Sequence, residues 1–87
     1  MFIIFSKNNC IYCTKTKETL SKQQIQFNNF EIESQQEILE LKKKTNQSTF
    51  PFIYHKNNFI GGYTDLLKYI YSPEFSMIVW FDYARNC

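Results

Sequence analysis

The chain has few of the residues that would staple it, break it up or carry it across a membrane. Of its 87 residues two are glycine and two proline, which excludes a collagen-like or Pro/Gly low-complexity chain. No apolar run exceeds five residues, the length of residues 1–5 and 77–81. A membrane-crossing helix needs roughly 20, so no membrane span is expected. Residues 1–5 are also too short for the apolar part of a secretory signal and have no basic segment before them. Arginine occurs once, at Arg85, and the formal net charge is only +2. A nucleic-acid partner is not expected, because such binders show a clustered basic face. The one cluster, Lys42-Lys43-Lys44, reads as a solvated helix end, where the dipole favours lysine. Three cysteines are an odd count with no disulfide framework. Two of them, Cys10 and Cys13, form a single CxxC, and Cys87 stands alone. Without a secretory signal this points to a reducing compartment, the cytoplasm. There a lone CxxC is more often catalytic or metal-binding than structural.

What is present is a folded composition: 44% hydrophobic, 18% aromatic and 21% charged residues, in a length that suits one core. Lys, Asn, Ile, Phe and Tyr are abundant while Ala and Arg appear once each, which points to an AT-rich genome such as that of a virus, phage or low-GC microbe. In that case the cytoplasm would be a host's.

The run Phe2-Ile3-Ile4-Phe5 reads as a buried strand and residues 6–9 as a polar loop. Residues 10–24 hold no Gly or Pro and predict a helix. Ile25-Gln26-Phe27 opens a second strand that extends toward Phe30 and Ile32, with a break or bulge near Asn28-Asn29. Ser34 followed by Glu37 is a capping-box pattern, and Ile38, Leu41 and Thr45 keep helical spacing, so a second helix runs over residues 35–45. Asn46 suits the left-handed position after it. Residues 50–54 predict a third strand, Lys56-Asn57-Asn58 a hairpin turn, and Phe59-Ile60 a fourth strand that Gly61-Gly62 breaks. Thr64-Asp65 starts a helix over residues 66–71. His55 reads as a surface or turn histidine.

The order β-α-β-α-β-β-α predicts an α/β fold, a four-stranded mixed sheet flanked by helices. Residues 1–71 are expected to form the domain and residues 72–87 a C-terminal extension packed on it. Ser72-Pro73 reads as a helix stop and start, and Cys87 as an exposed thiol.

The chemistry centres on Cys10-Ile11-Tyr12-Cys13, placed after a strand and at a helix start. Unsatisfied backbone N–H groups and the positive dipole end favour a thiolate at Cys10, and the thiolate is the attacking species. Cys13 lies one turn along the same face, close enough to pair with Cys10 and partly buried by its helix. Cys10 is then the nucleophile and Cys13 the resolving thiol. Lys7 adds positive charge nearby.

Two further blocks accompany the cysteines. Lys7-Asn8-Asn9-Cys10-Ile11-Tyr12-Cys13 looks like K-x-x-C-x-Y-C, Thr49-Phe50-Pro51 like T-V-P, and Gly61-Gly62-Tyr63-Thr64-Asp65-Leu66 like G-G-x-[ST]-D-L. In this order and spacing the sequence resembles the glutaredoxin family of the thioredoxin-like fold, over residues 1–71. The resemblance implies glutathione as co-substrate, with disulfide-containing or glutathionylated proteins as partners and a monomer as the working form. Cys10 would attack a glutathione mixed disulfide, and a second glutathione or Cys13 would release the product. Pro51 would be cis and face the cysteines, with Thr49 beside it. The Phe50 backbone would pair with the cysteine of glutathione like an added strand. Lys7 would meet the glycine carboxylate, and Thr64 and Asp65 the γ-glutamyl end. Gly62, after Gly61, would let the chain approach the ligand, and Tyr12 would flank the groove.

The sequence departs from the pattern in places. Ile11 stands where many dithiol members have proline. Its presence leaves room for a [2Fe–2S] cluster held between two copies by Cys10 of each and by glutathione. A cluster-binding carrier or sensor is therefore the alternative, though not the favoured one. No other metal site is expected. Phe50 replaces the usual valine and narrows the groove, and Ser48 stands where arginine is frequent. The contact from the second helix is unassigned, with Gln35, Gln36 and Lys42 nearby. A thioredoxin-like reductant is a third reading. Lys7, Tyr12, the block at residues 61–65, and Asn9 in place of a tryptophan argue against it.

Overall fold

The computed structural model describes residues 1–72. Within them the chain runs β1 (Phe2–Ser6), α1 (Ile11–Lys22), β2 (Phe27–Glu31), α2 (Gln35–Thr45), β3 (Phe52–His55), β4 (Asn58–Gly61) and α3 (Tyr63–Ile70). The sheet order is β2-β1-β3-β4. β1 pairs parallel with β2, and β3 lies antiparallel to both β1 and β4. This is the α/β architecture, a four-stranded mixed sheet, that the element order predicts, and it agrees with the thioredoxin-like fold that the resemblance implies. The readings of the extension and of Cys87 fall on residues 73–87, outside those described.

The alternation of β1 divides its side chains between two layers. Phe2, Ile4 and Ser6 are buried, and Phe2 and Ile4 join Leu20, Ile53, Leu66 and Ile70 in a core cluster that draws on α1 and α3. Full burial stabilises each such large side chain by about 1.5–3 kcal/mol. On the other face Phe52 and Phe50 pack with Cys13, against Phe5, Ile32 and two α2 residues, Ile38 and Leu41. α2 has no fully buried residue and covers its side of the sheet with those two half-buried side chains. No helix among the described residues is long and apolar enough to cross a membrane.

Two caps behave as the sequence predicts. Ser34 Oγ accepts from the Glu37 N–H at 3.4 Å, and Asn46 ends α2 with φ 58°. Several boundaries move. α1 ends at Lys22, and Gln24 takes φ 58° before the chain turns into β2. β2 starts at Phe27 and runs unbroken through Asn28-Asn29, in continuous register from Phe2↔Phe27 to Ser6↔Glu31. The expected break or bulge is absent: Asn29 stays in register opposite Ile4, and its side chain is taken up by the neighbouring strand, where the Ser6 hydroxyl donates to its Oδ1 at 2.8 Å. β3 begins at Phe52, two residues later than expected, and reaches His55. The hairpin turns on Lys56 and Asn57, whose φ values of 52° and 67° are those a two-residue loop requires, and Asn58 already belongs to β4.

His55 is a correction. It is not a surface residue but buried, at 8% exposure. Pairing with Phe2 across β1 and β3 stacks its ring on the Phe2 ring at 4.3 Å, and Nδ1 lies 2.6 Å from the Tyr69 hydroxyl. Burial pushes its pKa down from the ordinary value, helped by the N-terminal ammonium and Lys56.

Candidate active site

β1 delivers the chain to a short loop, and Asn9 turns it with φ 57° into α1. Cys10 is the N-cap, extended at φ −111° and ψ 112°. Its sulfur occupies the place of a capping oxygen and accepts from the Cys13 N–H at 3.2 Å, while its carbonyl accepts from the Thr14 N–H at 3.1 Å. Ile11 and Tyr12 are exposed. Cys10 is half-buried and Cys13 is 1% exposed, both as free thiols. Burial, and next the contact with Cys10, push the Cys13 thiol up to about 12, against the opposing pull of the Lys7 backbone N–H and the Lys17 charge. One turn of helix thus carries a reachable sulfur and a buried, protonated one.

The facing wall is the segment Thr49-Phe50-Pro51, with a cis peptide bond between Phe50 and Pro51. Phe50 packs edge-on against Phe52 at 4.9 Å, and the Lys7 ammonium sits 5.6 Å from the centre of its ring. A groove of about 430 Å³ lies between the walls, lined by Lys7, Cys10, Tyr12, Thr49 and Phe50, with Gln35 and Lys42 from α2. A second groove, of about 740 Å³, reaches Cys10 and Cys13 from the side of Lys17 and Glu31.

The third block forms the start of α3. Gly61 has φ 130°, and a Cβ there would overlap the Asp65 carboxylate. Asp65 Oδ2 accepts from the Gly62 N–H at 3.2 Å, so its carboxylate already caps the helix. The Tyr63 ring lies 6.0 Å from the Tyr12 ring, which brings this block beside the cysteine turn.

Of the residues singled out in the sequence, Lys7, Cys10, Tyr12, Thr49 and Phe50 share the groove. Cys13 and Pro51 lie buried behind it. Gly62, Thr64 and Asp65 stand at the α3 start, outside its lining. Sequence reasoning missed Gln47, whose side-chain amide donates to the carbonyls of Thr49 at 2.7 Å and Pro51 at 2.9 Å. Its only signal was position, between the left-handed Asn46 and Thr49. Among the described residues no three His, Cys, Asp or Glu side chains gather to hold a metal ion.

Comparison with known proteins agrees with this geometry. The glutaredoxin family model matches residues 2–60. Glutaredoxin-2 of Schizosaccharomyces pombe is 42% identical over 69 residues, covering 75% of this chain and 63% of that protein, so the chain spans less than two thirds of that relative. The glutaredoxin-like protein NrdH of Lactococcus lactis is 42% identical over 40 residues, 46% of this chain and 56% of that one. Among solved structures, a buckwheat glutaredoxin–glutathione complex superposes with a TM-score of 0.70 at 26% identity, covering 78% of this chain and 66% of that one. With a CxxC at a helix start, a facing X–Pro segment and a family match across most of the described fold, the chain belongs to the glutaredoxin family.

Proposed function

We propose that this protein reduces disulfides and glutathione mixed disulfides with glutathione as the electron donor. The observation that carries the reading is the asymmetry within one helical turn: Cys10 half-exposed at the N-cap with an N–H on its sulfur, Cys13 buried and held protonated.

With a glutathionylated protein, the Cys10 thiolate attacks the glutathione sulfur. A Cys10–glutathione disulfide forms, and the protein leaves as its thiolate. A second glutathione thiolate then attacks that disulfide, restoring Cys10 and releasing glutathione disulfide. With a protein disulfide, Cys10 first forms a mixed disulfide with one protein sulfur and releases the other. Cys13 then loses its proton and attacks Cys10, which frees the protein dithiol and leaves a Cys10–Cys13 disulfide. Two glutathiones reduce that disulfide, giving glutathione disulfide. Part of what raises the Cys13 pKa is its contact with Cys10 and the Cys10 charge. Both vanish once Cys10 is bonded to a substrate, so Cys13 becomes easier to ionise at the step that needs it.

Lys7, whose ammonium lies over the Phe50 ring at the groove, meets a carboxylate of the ligand in this reading. The Phe50 backbone offers strand-like pairing to its cysteine. Thr64 and Asp65 take the γ-glutamyl end. The buckwheat protein was solved with glutathione, which supports the assignment of the ligand. The protein works as a monomer in the cytoplasm on disulfide-containing or glutathionylated proteins. Turnover of a glutathione mixed disulfide by the wild type, Cys10→Ser and Cys13→Ser tests this. The proposal expects loss with Cys10→Ser and retention with Cys13→Ser. Retention with Cys10→Ser would overturn it.

The NrdH match favours one second reading, a reductant recharged by a protein reductase. Reduction of a protein disulfide that proceeds with thioredoxin reductase and NADPH, and not with glutathione, would establish it instead.

A further inference from the structure

We propose that Gln47 is a positioning residue that sets the backbone edge of Phe50 for the incoming disulfide. The inference rests on the reading of the groove as the substrate site. Gln47 follows the left-handed Asn46 at the end of α2, and its own N–H donates to Thr45 Oγ1 at 3.3 Å. Thr45 Oγ1 in turn donates to the Leu41 carbonyl. The residue is therefore anchored to the last turn of α2. From there its amide Nε2 donates to the carbonyls of Thr49 and Pro51, using both of its hydrogens. Phe50 lies between those two residues, and no hydrogen bond among the described residues uses its own N–H or C=O. One side chain thus holds the peptide before Phe50 and the peptide after Pro51, and leaves the Phe50 edge open to a ligand in the groove.

The same amide packs toward α3. A Cβ on Gly62 would lie 3.7 Å from Gln47 Nε2 and 3.8 Å from the Pro51 carbonyl. Gln47 sits where α2, the Thr49–Pro51 segment and the α3 start meet. It makes no hydrogen bond to either cysteine, so its effect falls on substrate alignment and leaves the reactivity of Cys10 unchanged. Strand-like pairing with a ligand depends on where N–H and C=O point, and a loop held at both flanks meets less of the ordering cost on binding.

The test uses Gln47→Met, which keeps the length of the side chain without its donors, and Gln47→Glu, which puts a carboxylate against both carbonyls. The substrate is a glutathionylated peptide, at saturating glutathione. Both variants are expected to raise KM at least fivefold with kcat within twofold, while iodoacetamide, which needs no groove, alkylates Cys10 at the wild-type rate. An unchanged KM in either folded variant overturns the proposal. So does a parallel fall in kcat and alkylation rate, or failure of both variants to fold, since each marks a general structural role. A wild type idle on the glutathionylated peptide but active on a peptide disulfide overturns the glutathione reading alone. The same KM comparison on the peptide disulfide then decides the role of Gln47.

Discussion

Cys13 should be the slow thiol of the pair by a margin that can be worked out. Its pKa is pushed up to about 12, so at pH 8 roughly one molecule in 10⁴ carries the thiolate, against about a quarter for a free cysteine near 8.5. Ionisation alone makes Cys13 slower by about 2,000-fold. A more basic thiolate is intrinsically more nucleophilic, with a Brønsted slope near 0.4–0.5, and over this interval that recovers about 40-fold. The net expectation is alkylation about 60-fold slower than a free thiol, before the further slowing from 1% exposure. The assay is iodoacetamide labelling at pH 8, quenched over time and read by peptide mass spectrometry, with free cysteine as the reference. In Cys10→Ala two of the causes that hold the Cys13 proton are gone, so Cys13 labelling should accelerate. Cys13 reacting within tenfold of the free thiol in the wild type would refute the reasoning.

Other outcomes follow from the same structure. Because the Cys13 pKa is raised in the folded state, its contribution to stability is complete below about pH 9 and declines by about 1.4 kcal/mol per unit as the pH rises toward 12. Urea melts from pH 8 to 10 should show a steeper alkaline loss in the wild type than in Cys13→Ala, and equal slopes would contradict this. His55 has a lowered pKa, so its contribution is present above about pH 6.5 and is lost as the pH falls through the folded value. Thermal melts between pH 7 and 5 should drop further for the wild type than for His55→Phe; a variant with the same drop would count against the buried neutral histidine. Gly61→Ala places a side chain at φ 130° and onto the Asp65 carboxylate, which should cost about 1–3 kcal/mol. A chemical melt showing no loss would mean that the turn relaxes freely.

The sequence made the architecture readable because each element carries a local signal. β1 is an apolar run, Ser34 caps α2 at the Glu37 N–H, and Asn46 supplies its left-handed end. The CxxC at a helix start was equally legible, since helix-end chemistry depends on residues adjacent in the chain. What escaped were features made by distant partners. Nothing near His55 shows that Phe2 will stack on it or that Tyr69 will meet its Nδ1. Asn28-Asn29 looks like a break until Ser6 is seen to satisfy Asn29 from the neighbouring strand. Gln47 is an unremarkable polar residue in the sequence. Its role follows from carbonyls that only the folded Thr49–Pro51 segment presents. The placing of Lys7 over Phe50 likewise joins residues that the fold brings together from opposite walls of the groove.

The central claim is that Cys10 accepts glutathione and Cys13 does not. Peptide mass spectrometry of the Cys13→Ser and Cys10→Ser variants after brief exposure to glutathione disulfide tests it most directly. The account predicts a glutathione on the Cys10 peptide of Cys13→Ser, removed by added glutathione, and none on the Cys13 peptide of Cys10→Ser. A variant in which Cys10 stays unmodified while a small alkylating reagent still reaches it would contradict the account.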